Sequence, residues 1–163
     1  MGGVRLLLFF ATEGLVLYLS GEYVVLLKKR ALNALKWARR AFEEGDYDTA
    51  VREAEYAAQL YAKSLIYRVL GEERRGHDIR GLLGILAAAL IEQGLNKEAE
   101  RLFDFVRVHR RELAELTEAH TRAVYGLFEY GEREADLILR IAEEVIRLLE
   151  SLEVEIFGEK ARE

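Results

Sequence analysis

The sequence predicts an all-α protein, an antiparallel up-and-down bundle of about five helices, and three observations carry that prediction. Apolar positions recur three and four residues apart over most of the chain, the spacing that lets a helix bury one face. Proline is absent and apolar residues make up 51%, so nothing resembles a disordered tail or a Pro/Ser-rich linker and the whole chain should be compact. The breaks fall at Gly45, Gly71, Gly94, Gly126 and Gly131, several followed by the acidic or polar residues that open helices.

Residues 1–27 stand apart as an apolar extension: LLLFFA at 6–11, LVLYL at 15–19 and YVVLL at 23–27, divided by Thr12-Glu13-Gly14 and Ser20-Gly21-Glu22. Short β-prone runs between glycine-containing breaks predict two or three strands, with a helix as the competing reading. Each run is shorter than a membrane span, and Glu13 together with the lack of a small-x-small cleavage site argues against an export signal. So much apolar surface needs cover from the bundle or a second subunit, unless Val24 lies nearer the natural start and the rest is a translated leader.

Residues 28–157 are the expected bundle. Ala31, Leu35, Ala38 and Phe42 form the stripe of a first helix that ends at Gly45, with Trp37 off the stripe. Ala50, Ala54, Ala57, Tyr61 and Leu65 form that of a second, from Asp46 to about Leu70. A third runs from Asp78 to Gln93, with Leu82, Leu86, Ala89 and Leu90 on one side. A fourth is predicted unbroken from Asn96 to Tyr125, about 45 Å long, with His109 and His120 among its apolar positions. After an aromatic turn with Phe128 and Tyr130, the last helix runs from Glu132 to about Leu152, and 158–163 is a polar tail expected to fray.

At 163 residues one domain suffices, burying roughly 70% of its unfolded surface. The absence of cysteine excludes disulfides and thiolate zinc sites, so a reducing, cytoplasmic setting is expected. Arginine far outnumbers lysine, and amide side chains occur only at Asn33, Asn96, Gln59 and Gln93, a usage that suits a thermophilic source. The net charge of −5 argues against a general nucleic-acid coat and leaves Arg74 with Arg75, and Arg107 with Arg110 and Arg111, as local basic clusters.

No P-loop, dinucleotide fingerprint or nucleophile elbow is present, and neither a cofactor nor a metal is expected. His109 and His120, about 16 Å apart along one straight helix, cannot share an ion. His77, after Arg74-Arg75-Gly76 and before Asp78, stands at a helix start, where the turn either caps the helix or faces a ligand.

Gly45-x-Tyr47-x-x-Ala50 resembles the inter-helix turn of tetratricopeptide repeats, and Gly94 to Ala99 echoes it. The echo comes 49 residues later, where that family repeats every 34 or so. A closer resemblance, over residues 28–152, is to the HEPN family, the higher eukaryotes and prokaryotes nucleotide-binding domain. It is carried by ALKWARRAFEEG at 34–45, the Gly-x-Tyr-x-x-Ala turn, AAQLYAKSLIY at 57–67 and the His-Asp of RGHDIRGLL at 75–83.

That resemblance implies a four- or five-helix bundle, often a homodimer, frequently paired with a minimal nucleotidyltransferase in a toxin–antitoxin or nucleotide-handling module. Ribonuclease members carry Arg and His separated by four to six residues. Here the nearest gaps are seven, from Arg101 to His109, and eight, from Arg68 to His77 or Arg111 to His120. The expectation is therefore a non-catalytic protein that binds a nucleotide, RNA or a nucleotidyltransferase through a cleft near His77, Arg122 and Tyr125. Arg122 and Tyr125 partly match a Tyr/Arg segment of non-ribonuclease members, and Gln59 and Lys63, one turn apart, match polar positions of the second helix and are expected to line the same ligand-binding cleft. The alternatives are a divergent, metal-independent ribonuclease using Arg107 or Arg111 with His120, and a structural adaptor.

Overall fold

The computed structural model describes residues 2–76 and 78–158, with residues 2–20 as backbone only. Among the described residues six helices follow one another: α1 (Gly2–Glu43), α2 (Tyr47–Leu70), α3 (Ile79–Glu92), α4 (Asn96–Val108), α5 (Arg110–Tyr125) and α6 (Glu132–Phe157). The expected all-α bundle is what is found, with one helix more than expected.

α1 and α2 make the tightest pair, and their composition explains it. Ala31, Ala34, Ala38 and Ala41 on one helix and Ala50, Ala54, Ala57 and Ala58 on the other are all buried, and methyl-sized side chains let two backbones approach closely. A turn joins them antiparallel. Gly45 N–H donates to the Phe42 carbonyl and Asp46 N–H to that of Ala41, closing α1, while Asp46 Oδ1 accepts from Thr49 N–H at 3.2 Å and opens α2. At its far end α2 stops at Gly71, whose φ of +71° suits a residue without a side chain.

α2 is the central helix, packed by α1, α3, α5 and α6. Every residue from Ala57 to Ala62 is buried. α6 lies parallel to it: Asp48 meets Tyr130 at one end, and Arg68 meets Glu153 at the other. There Glu153 is buried yet satisfied, accepting from Lys28 Nζ at 3.1 Å, from Arg68, and from the Tyr61 hydroxyl at 3.1 Å. Burial first, and then the Glu153 charge, drive the Tyr61 phenol well above its usual range.

Two expectations are corrected. The apolar runs of residues 6–27 form no strands; the segment is helical and continuous with the predicted first helix, as α1. A strand needs a partner edge for its amides, whereas a helix satisfies its own, and no other strand occurs among the described residues to supply that edge. The helix predicted from Asn96 to Tyr125 is divided at His109, where φ −101° and ψ +27° leave the helical region for one residue. α4 packs chiefly on α3, whereas α5 packs on α2 and α6, and one straight rod does not serve both sets of neighbours. The expected polar tail, apart from Gly158, lies outside the described residues.

Candidate functional site

The outer half of α5 and the connection to α6 collect the side chains with chemical reach. Leu113, Leu116 and Ala119 are buried and lock α5 onto the bundle. Arg122, one turn further on, is held from three directions. Its Nη1 lies 3.1 Å from Glu115 Oε2, its Nη2 3.7 Å from Glu134 Oε2 of α6, and its Cζ 5.0 Å from the centre of the Tyr130 ring. The guanidinium thus ties α5 to α6 and stacks on an aromatic face.

Tyr130 is the anchor of the connection. Its side chain is buried, its N–H donates to Asp48 Oδ1 at 2.9 Å, and its hydroxyl has no hydrogen-bond partner. Burial pushes the phenol above its ordinary pKa, opposed by the Arg122 charge beside it. Gly126 is required by close approach: a Cβ there would lie against the Arg122 carbonyl oxygen, well inside contact distance. Between these anchors Tyr125, Leu127 and Phe128 project into solvent.

The start of α3 docks nearby. Asp78 caps it, its Oδ1 accepting from Arg80 N–H at 3.0 Å and from the Thr117 hydroxyl of α5 at 3.1 Å. His77, next to this cap, lies outside the described residues.

Gln59 and Lys63 are placed elsewhere. They stand about 16 and 22 Å along α2 from Asp48, away from Arg122. Gln59 is buried, and its Nε2 donates to Glu55 Oε1 at 3.1 Å; Lys63 is half-buried one turn on. Glu55, only 3% exposed, is a group that sequence reasoning missed. Desolvation pushes its carboxyl up to about 7, with the Gln59 bond and the Lys63 charge pulling the other way. The signal was present in the sequence as a four-residue polar spacing, Glu55-Gln59-Lys63, set in an otherwise Ala- and Leu-rich helix.

The alternative catalytic residues do not converge within one chain. Arg111 and His120, both exposed, are nine residues apart on α5, two and a half turns, and therefore on opposite sides of the helix. Arg107 lies before the break at His109 and pairs with Asp104 at 3.1 Å. The break itself is basic. His109 Nε2 reaches Glu144 of α6 at 3.4 Å and its ring packs on Phe105, while Arg110 and Arg111 follow in the exposed first turn of α5.

At the α1–α2 turn, Trp37, Arg40, Asp46, Thr49 and Glu53 line an open cavity of about 320 Å³, with Arg40 over the indole ring. No three His, Asp or Glu side chains among the described residues gather at metal-binding range, and no described helix is long and apolar enough to cross a membrane.

Compared with models of known protein families, residues 24–152 match the HEPN domain. Neither the comparison with curated proteins nor that with solved structures finds a match.

Proposed function

Since the chain belongs to the HEPN domain family, we propose that it is a non-catalytic member, a binding protein of a nucleotide-handling or toxin–antitoxin-type module in the cytoplasm. It acts as a homodimer and engages a nucleotide, an RNA segment or a minimal nucleotidyltransferase through the surface around His77, Arg122 and Tyr125. The observation that supports binding without cleavage is the geometry of α5. Metal-independent RNA cleavage needs a base at the 2′-OH and a cation at the same phosphate, and α5 sets Arg111 and His120 on opposite sides. Arg122, moreover, is already engaged by Glu115, Glu134 and Tyr130, which makes it a fixed surface feature more than a free phosphate clamp.

A second reading has one point in its favour: Arg111 and His120 are both exposed, so a second copy can bring the complementary group to each. Labelled single-stranded RNA separates the two. The purified protein and a His120→Ala variant are both expected to leave it intact, and products that vanish in the variant would establish the nuclease. Thermal denaturation with nucleotides is expected to show a raised midpoint, because a ligand that binds only the folded state stabilises it. No shift and no RNA binding would favour the adaptor.

A further inference from the structure

The connection between α5 and α6 is built as a presented surface. Val124, Tyr125, Leu127 and Phe128 are 44%, 79%, 92% and 89% exposed. Together they offer on the order of 500 Å² of apolar and aromatic area, at the upper end of what a monomer's largest patch shows.

Both flanks of this tip are fixed. Gly126 N–H closes α5 on the Arg122 carbonyl at 2.8 Å, and Tyr130 is buried with its N–H on Asp48. Side chains that a loose loop would fold inward are therefore held outward, with part of the ordering entropy of binding already met.

The rim of the tip is acidic. Glu118 stands one turn before Arg122, Glu129 sits within the connection, and Glu132 and Glu134 open α6. Arg122 is committed to Glu115 and Glu134, which leaves Arg133 and the His120 imidazole against Glu118, Glu129 and Glu132.

This combination selects the occupant. Phosphate backbones and anionic headgroups are repelled by such a rim. A second copy docking the same patch about a two-fold axis sets Glu129 and Glu132 against their own counterparts. The geometry points to a different protein, one whose apolar pocket or groove is framed by lysine and arginine, with the Leu127–Phe128 tip as its hot spot. This rests on the reading that the α5 surface binds without cutting, and it assigns that surface to the protein partner in preference to the nucleotide or RNA.

The test uses the full chain and a defined probe, a fluorescein-labelled amphipathic helical peptide with a leucine face bordered by lysines, and its twin with glutamates in their place. Fluorescence polarisation is expected to show binding of the lysine peptide and none of the glutamate peptide. The Leu127→Ser/Phe128→Ser variant is expected to weaken binding by about tenfold or more. Its thermal midpoint should stay at the wild-type value, since both side chains already lie in water. Glu129→Lys/Glu132→Lys is expected to exchange the preference of the two peptides.

Equal binding by wild type and the serine variant, or equal binding of both peptides, would overturn the inference. So would sedimentation showing a dimer that the serine variant dissociates, or binding of RNA or anionic vesicles that it abolishes. The RNA cleavage assay is read independently of all of these, so failure of the tip and failure of the binding reading are told apart.

Discussion

The two ends of α5 differ in kind. At its start the chain breaks at His109 without glycine or proline; the ring meets Phe105 one turn earlier and reaches Glu144 of α6, beside exposed Arg110 and Arg111. At its end Gly126 and Gly131 bracket a connection pinned by Tyr130 and rimmed by glutamates. One helix of 16 residues, about 24 Å long, thus separates a basic elbow from an acidic, apolar tip. Side-chain charges of opposite sign are thus segregated to opposite ends of one helix, and a net charge of −5 hides this because it averages over both.

The difference can be broken most severely at the anchor of the tip. Tyr130→Ala removes a buried aromatic ring and is expected to destabilise by about 3–5 kcal/mol. Chemical denaturation would show a lower midpoint, and the tip's probe binding should fall with it.

Next comes Glu55→Gln, which separates buried charge from the surface charge at both ends of α5. The folded carboxyl titrates near 7 against an ordinary value of 4.5. The folded state therefore holds its proton where the unfolded chain has lost it. The stability it contributes is complete below about pH 4.5 and is lost as pH rises through 7. The amide removes that dependence, so at pH 8 the variant is expected to be more stable than wild type by on the order of 3 kcal/mol, and at pH 4.5 to match it. Parallel stability–pH curves for the two proteins would place the titration elsewhere.

Gly126→Ala acts on the close approach at the end of α5. The methyl group meets the Arg122 carbonyl oxygen, and an unfolding free energy lowered by about 1–3 kcal/mol, read by chemical denaturation, is expected as the backbone shifts to make room. Tyr130→Phe works in the other direction: its hydroxyl is buried without a partner, and removing it is expected to stabilise by about 1 kcal/mol. The smallest effect belongs to the elbow. Glu144→Gln weakens a partly exposed contact with His109 and is expected to cost under about 1 kcal/mol, too little to abolish the break if backbone packing on α3 and α6 sustains it.

Much of the scaffold is legible in the sequence. The stripe of α2, its stop at Gly71, helix starts at Asp46 and Asp78 and that of α6 at Glu132 are expected from spacing and punctuation, and the structure has Asp46 and Asp78 as the caps of those helices. These features rest on interactions within a few residues, which a linear sequence displays. The break at His109 was not legible, because no local residue forces it; it follows from α4 and α5 answering to different neighbours. The apolar N-terminal segment misled for a related reason, since β-branched and aromatic content reports propensity and not whether a partner edge exists.

The site divides along the same line. Arg122 and Tyr125 were singled out from the chain, but that Arg122 is engaged by Glu115, Glu134 and Tyr130 depends on where α6 is placed. Gln59 is singled out in the sequence as a cleft residue with Lys63; packing on several sides of α2 puts it in the interior with Glu55 instead.

By itself the sequence determined the all-α class, the starts of α2, α3 and α6, the family and the absence of cysteine chemistry, because periodicity, capping and composition are local or additive properties. Tertiary structure alone decided which carboxylates are buried, where one long helix becomes two, and that the α5–α6 connection is held open with its apolar residues outward. Those outcomes depend on which surfaces meet at long range, and the free energies of burial and charge pairing that settle them exist only once the helices are packed.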